Sequence, residues 1–335
     1  MVTARAWCRA DLGGGTLDIW PLGLLHPGAR TVNVALDLAV TVRLRRSDDH
    51  LYRVSQGTES VEAATAAALL AQPEGALVGV VAEALDLPPI EVTLASDSPR
   101  GGGLGASSAM AVALLAAIET EMGPELGRPP SSAAERAHLA RDLEARLMSL
   151  PTGIQDHYPA LLGGVLDIEQ RPGGERVRRL AVDLERLAAS LLVVYSGMSH
   201  FSAGNNWEVV RRRLDGDPEI TRFFAGIAEA AAELPEALEA GDFARAGALM
   251  GREWSFRRRL AAGISTPVLE ALVVAADSAG AWGGKACGAG GGGCLAFLCP
   301  PERRTEVAAA LEKAGGKVLA ARPVGTPLAV GSDPR

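Results

Sequence analysis

The chain has 335 residues, 48% of them hydrophobic, and a formal charge of −7, so it can bury a large core and its length suggests about two domains. That composition excludes a disordered chain, and acidic and basic residues alternate too evenly for the basic footprint of a nucleic-acid binder. No run approaches the ~18 apolar residues of a membrane span, and Arg5, Arg9 and Asp11 interrupt any secretory leader.

Cys8, Cys287, Cys294 and Cys299 lack both C-x-x-C spacing and a histidine at zinc-ligand distance. They read as buried thiols of a soluble, cytoplasmic protein.

Taken in order, residues 5–12 form a strand that ends at Gly13, Gly14 and Gly15, with Thr16 and Asp18 just beyond. A strand that stops at glycines beside a carboxylate is either a ligand rim or a plain tight turn. Thr31 to Arg45 alternates with period two, as half-buried strands do, and 60–87 reads as two helices joined by a turn at Pro73 and Gly75. Ile90 to Leu94 is a short strand delivered into a glycine loop.

That loop is Ser98 to Ser108, and the apolar run through Ile118 continues it as a buried helix. A helix start leaves N–H donors unpaired and favours an anion, above all a phosphate. Ser131 to Met148 is a helix with Ser132 and Glu135 at capping-box spacing and Glu144 near its end. Gly153 then precedes Asp156, and Val165 to Ile168 is a strand. The polar stretch 171–186, broken by Pro172, Gly173 and Gly174, marks a domain boundary.

The second half opens with the strand Leu191 to Tyr195. A loop over 196–207 follows, in which His200, Asn205 and Asn206 offer donors and acceptors to hydroxyls. Helices fill 218–279, one of them beginning at Pro267 with Ser265 or Thr266 as its cap. A last glycine loop from Gly283 leads into the strand Cys294 to Leu298, followed by a helix over 302–314 and a strand near 317–321. Arg257, Arg258 and Arg259 read as a solvated helix face, Trp254 as core, and His157 as structural.

Neither glycine loop is a Walker A element, because Lys285 is followed by Ala286. Gly101-x-Gly103-x-x-Ala106 fits the loose dinucleotide form, but Glu119 and Glu121 close a helix where a second strand with an acidic end is needed. Three glycine-rich segments at element ends, together with Asp18, Glu144 and Asp156, suit phosphoryl transfer from a magnesium nucleotide to an alcohol. Backbone donors hold the phosphates, oxygens hold Mg²⁺, and a carboxylate orients the acceptor hydroxyl.

Pro99-x-x-x-Gly103-Leu104-Gly105-Ala106-Ser107-Ser108-Ala109 closely resembles the phosphate-binding motif of the GHMP small-molecule kinases, with Ala106 where that family has serine or another small residue. Arg9 to Asp18 resembles the family's first motif and Gly153-Ile154-Gln155-Asp156 the segment carrying its catalytic aspartate. The stretch from Gly284 to Gly293 resembles the third motif. Within the superfamily the chain is most similar to the heptose-7-phosphate kinase and sugar-kinase group, through Gly13 to Gly15, Gln155-Asp156-x-Tyr158, Trp254, Ile264-Ser265-Thr266-Pro267 and Gly280-Ala281-Trp282-Gly283-Gly284-Lys285. It departs from that group in reading Thr16-Leu17-Asp18 where Thr-Asp-Leu is usual.

The resemblance implies a two-domain α+β fold, with a ribosomal-S5-domain-2-like half over 1–186, a ferredoxin-like half over 187–335, and the active site in the cleft between them. It implies ATP and Mg²⁺ as cofactors. Gly101, Gly102, Gly103, Leu104, Gly105, Ala106, Ser107 and Ser108 bind the nucleotide, with Ser107 capping the helix, and Ser108 and Glu144 hold the metal. Asp156 and Arg9 are catalytic. Gly14, Gly15, Thr16, Asp18, His200, Gly290 and Gly291 contact the acceptor, a small-molecule sugar or sugar phosphate. The alternatives are a mevalonate- or homoserine-like alcohol as acceptor and a catalytically silent sugar-binding homologue.

Overall fold

The computed structural model describes residues 1–125, 127, 129–199 and 203–332. Strand β1 (Val2–Gly13) runs antiparallel to β2 (Arg30–Arg46), one continuous strand over the whole of the alternating stretch. A register shift between Trp7 and Cys8 bends the pair. A bulge of this kind strengthens the local twist, and it lets β2 change partners along its other edge.

A hairpin, β3 (Tyr52–Gln56) and β4 (Glu59–Ala63), precedes the short helix α1 (Ala66–Leu70) and α2 (Ala76–Leu85), so residues 60–63 are strand rather than the start of a helix. What decides them is pairing, with β4 antiparallel to β3 and β3 parallel to β5 (Ile90–Ser96). Such pairing overrides the helix preference of an alanine-rich neighbourhood.

Helix α3 (Ala106–Met122) is buried on every side from Ser108 to Ile118. An all-round apolar helix belongs in a core, and α3 packs against β1 and β2 on one side and α4 (Ala133–Met148) and α5 (His157–Leu162) on the other. The capping box of α4 is formed: Ser132 Oγ accepts from Glu135 N at 3.2 Å, and Glu135 Oε2 accepts from Ser132 N at 2.8 Å. A second hairpin, β6 (Val165–Arg171) and β7 (Gly174–Arg179), joins the first sheet through β2, which pairs β6 over Arg30–Val34 and β5 over Val40–Arg46.

After α6 (Leu184–Ser190) comes β8 (Leu191–Tyr195), then helices α7 (Ala203–Leu214), α8 (Pro218–Glu239), α9 (Phe243–Arg257) and α10 (Pro267–Ser278). Thr266 Oγ1 caps α10, accepting from Leu269 N at 3.3 Å. Strands β9 (Gly283–Ala286) and β10 (Cys294–Leu298), helix α11 (Arg304–Lys313) and β11 (Lys317–Val318) complete a second sheet in the order β11-β8-β10-β9. The last strand, β12 (Ala329–Ser332), returns to pair β1.

The two apolar cores do not divide at residue 186. Leu17 and Ile19 pack into the second, whereas Leu234 and Met250 pack into the first. The four cysteines are buried free thiols. Among the described residues no helix is long and apolar enough to cross a membrane.

Because α4 carries Glu144 toward the first turn of α3, its cap is a sensitive point. Ser132→Ala is expected to cost about 1 kcal/mol in denaturant unfolding, whereas Ser131→Ala, outside the box, is expected to leave the midpoint nearly unchanged.

Candidate active site

A cavity of about 510 Å³ lies where the glycine loop meets α3, and residues 101–108 form one wall of it. Gly105 is the N-cap of α3, at φ +71°, with no side-chain cap. Ser107 therefore lies inside the first turn instead of capping it. The first i to i−4 bond of the helix is Ala109 N to Gly105 O, 2.9 Å, so the amides of Ala106, Ser107 and Ser108 are the unpaired donors of a helix start.

The loop is held from behind by main chain. Cys294 N donates to Gly102 O and Arg9 N to Leu104 O, at 2.8 and 2.9 Å. A Cβ on Gly103 would come within 2.8 Å of the Cys287 carbonyl. Glycine is required there because two backbones meet.

Ser108 Oγ donates to Glu144 Oε2 at 2.7 Å, and His157 Nε2 lies 2.7 Å from the same oxygen. Burial by itself would raise the Glu144 pKa, but the His157 hydrogen bond and charge, with Ser108 and Ser107, bring it below the usual glutamate range. His157 is fully buried and faces Glu144 rather than the cavity. Ser108 and Glu144 are hard oxygen donors that fit Mg²⁺. Among the described residues no three His, Cys, Asp or Glu gather as a metal cluster, so an ion held here would fill its shell with phosphate oxygens and water.

Across the cavity, Arg9 Nε and Nη2 both donate to Asp156 Oδ1, at 2.9 and 2.6 Å, while Nη1 donates to Gly103 O at 2.6 Å. One guanidinium thus ties the aspartate to the glycine loop. The other carboxylate oxygen, Oδ2, stands 3.2 Å from where a Cβ on Gly105 would be, at the helix start and on the cavity wall.

Asp18 also lines the cavity. Its Oδ2 accepts from Gln155 N at 2.9 Å, while its Oδ1 and the Gln155 Oε1 are buried without hydrogen-bond partners. Burial pushes the Asp18 carboxyl from 3.8 to about 6, against the Gln155 amide and with the Asp156 charge.

Arg9, Thr16, Asp18, residues 101–108, Glu144 and Asp156 therefore share one cavity. Gly14, Gly15, Gly290 and Gly291 do not line it. Gly14 N donates to Glu253 Oε1 at 3.3 Å and Gly15 O accepts from Arg257, so the triple glycine faces the second half of the chain. Gly291 N donates to Ile264 O at 2.7 Å, and the loop reaches the cavity through Gly288 and Ala289 instead. His200 lies outside the described residues, as do the side chains of Asn205 and Asn206.

Two features escaped the sequence reading. Trp207 is 45% exposed at the cavity edge. Arg257 is not solvated like its neighbours but 1% exposed, in a buried cluster with Glu253, Thr16, Lys285 and Asp11. The spacing of Glu253 and Arg257, one helical turn apart, was the available signal.

Because the folded Asp18 binds its proton more tightly than the unfolded one, its stabilising contribution is complete below about pH 4 and is lost as the pH rises through 6. At pH 8 the ionised group is expected to cost up to about 3 kcal/mol. Asp18→Asn should accordingly raise the melting temperature at pH 8 and not at pH 4. A melting difference independent of pH would contradict this placement of the charge.

Residues 61–164 match the family described as GHMP kinases N terminal domain, and residues 234–317 the one described as GHMP kinases C terminal. The mevalonate kinase of Pyrococcus abyssi is 34% identical over 266 residues, covering 77% of this chain and 73% of that protein. The D-glycero-alpha-D-manno-heptose 7-phosphate kinase of Campylobacter jejuni is 29% identical over 227 residues, covering 67% and 65%. A solved D-glycero-D-manno-heptose 1-phosphate kinase from Bacteroides thetaiotaomicron shares the fold, with a TM-score of 0.76 at 20% identity over 100% of both chains. The chain belongs to the GHMP kinase family and is, with that family, a phosphotransferase acting on hydroxyl groups.

Proposed function

We propose that this enzyme transfers the γ-phosphoryl group of MgATP to a hydroxyl, anomeric or primary, of a sugar or sugar phosphate. The observation that carries the reading is the pair of buried oxygens without partners, Asp18 Oδ1 and Gln155 Oε1, in residues that line the cavity beside Asp156. Unpaired buried acceptors are costly and call for O–H donors. A polyol brings several such donors, whereas a carboxylate placed against Asp18 would be repelled. The exposed face of Trp207 at the cavity edge suits the apolar face of a sugar ring.

In this reading the amides at the start of α3 receive the nucleotide phosphates. Ser108 and Glu144 hold Mg²⁺, which when bound neutralises charge on the phosphates. Asp156 takes the acceptor hydroxyl on Oδ2 while Arg9 holds Oδ1, and a positioned carboxylate of this kind orients the nucleophile or accepts its proton. The Arg9 guanidinium, which reaches Gly103 O as well, lies where it offsets charge developing on the transferred group.

A second reading, a mevalonate-like alcohol as acceptor, is favoured by the 34% identity to the Pyrococcus abyssi mevalonate kinase. An ADP-release screen with sugars, sugar phosphates, mevalonate and homoserine separates the two. Turnover with sugars alone is expected, and turnover with mevalonate alone would replace the first reading. Ligand binding without ADP release would indicate a silent homologue.

Asp156→Asn is expected to lower turnover by about 10²- to 10⁴-fold with affinity for an unreactive ATP analogue retained, and a near-normal rate would exclude the role given to it. Ser108→Ala is expected to raise the Mg²⁺ concentration needed for half-maximal rate. An unchanged Mg²⁺ dependence would remove Ser108 from the metal site.

A further inference from the structure

Arg257 does not line the cavity, yet it holds the turn that does. Thr16 is a β-branched residue at φ +70°, a conformation such side chains avoid and that persists only where the surroundings impose it. The turn around it is closed by Leu17 N to Gly14 O and Ile19 N to Thr16 O, both 3.1 Å. These bonds set the direction in which Asp18 leaves the backbone.

Arg257 Nη1 donates to Thr16 Oγ1 at 2.8 Å, and its Nη2 donates to Gly15 O. The planar fork therefore grips the strained residue by side chain and the preceding one by main chain. Glu253 Oε1 accepts from Arg257 Nε and Nη2 at 2.8 and 2.7 Å and from Gly14 N at 3.3 Å. One carboxylate thus fixes both the clamp and the turn. Lys285 Nζ, 3.6 Å from Glu253 Oε1 and 2.5 Å from Asp11 Oδ2, ties that carboxylate to β1, two residues beyond Arg9.

We propose that Arg257, anchored by Glu253, is a positioning residue of the acceptor site: it pins Thr16 in the left-handed conformation and so aims Asp18 at the acceptor. This rests on the reading that Asp18 faces the acceptor. It assigns control of acceptor recognition to a helix of the second half of the chain that never touches the acceptor. The nucleotide side, built on α3 and α4, is independent of the clamp.

The test uses the full-length enzyme with Arg257→Met, Arg257→Lys, Thr16→Gly, and the double variant of Arg257→Met with Thr16→Gly. Backbone hydrogen exchange is read at Leu17 and Ile19. Steady-state kinetics use D-glycero-D-manno-heptose 7-phosphate and mevalonate as acceptor probes, and an unreactive ATP analogue reports the nucleotide site.

In Arg257→Met, exchange at Leu17 and Ile19 is expected to rise about tenfold or more and acceptor KM to rise by about the same factor, with analogue affinity within about twofold of the parent. With Thr16→Gly, which adopts positive φ without strain, removal of Arg257 is expected to change acceptor KM little, so that the double variant matches Thr16→Gly alone. Rescue by glycine is not expected from a merely structural arginine.

Unchanged exchange at both amides, or a loss of analogue affinity as large as the loss for acceptor, would overturn the proposal. If Arg257→Met does not fold, Arg257→Lys, which keeps the charge but loses the fork, carries the same comparison. If neither probe is phosphorylated by the parent enzyme, the KM comparison uses the acceptor found in the ADP-release screen, while the exchange rates decide whether Arg257 holds the turn.

Discussion

Charge taken out of water must be answered by charge, and in this molecule that requirement joins the two halves of the chain. Arg9, Asp11, Glu253, Arg257 and Lys285 are all at most 2% exposed. The cost of stripping water from such groups exceeds their attraction unless each is paired and well hydrogen-bonded. The pairs run across the domain junction, from Asp11 to Lys285 and from Arg257 to the turn after β1. The same requirement places Arg9 between Asp156 and the Gly103 carbonyl. The two halves of the chain are therefore not independent of one another, because buried charges in each find their partners in the other.

The glycine loop before α3 obeys a second constraint, one of space rather than charge. Its backbone packs against the backbone of the C-terminal glycine loop, Gly103 against Cys287 and Gly102 against Cys294. Side chains at those positions would separate the strands of chain that keep the loop in place. Two rigid supports result: α3, buried on all sides, and a loop braced by main-chain hydrogen bonds.

The site also divides by electrostatics. Beside the first turn of α3, Glu144 is held below its usual range by His157 and the two serines. On the opposite wall, Asp18 is pushed up by burial to about 6 and keeps an oxygen without a partner. A protein gains no stability from such a carboxylate at neutral pH. It stands among apolar neighbours such as Leu17 and Ile19, where a buried charge is costly.

Much of this was legible in the chain itself. The strand before Gly13, the buried helix after Gly105, the Ser132 capping box and the Thr266 cap with Pro267 all follow from local chemistry, because caps, turns and apolar periodicity act over a few residues. The motifs from Pro99 to Ala109, from Arg9 to Asp18, from Gly153 to Asp156 and from Gly284 to Gly293 carried the family resemblance. What sequence alone did not determine was which groups face the cavity. Gly14, Gly15, Gly290 and Gly291 turn away from it, Ser107 is two residues too far in to cap, and Arg257, in a run of three arginines, is the buried one. Each of these depends on which backbone of the other half packs against the residue, and on where a desolvated charge finds its partner. Those are properties of contacts between segments more than two hundred residues apart, such as Thr16 and Arg257, and only the tertiary structure decides them.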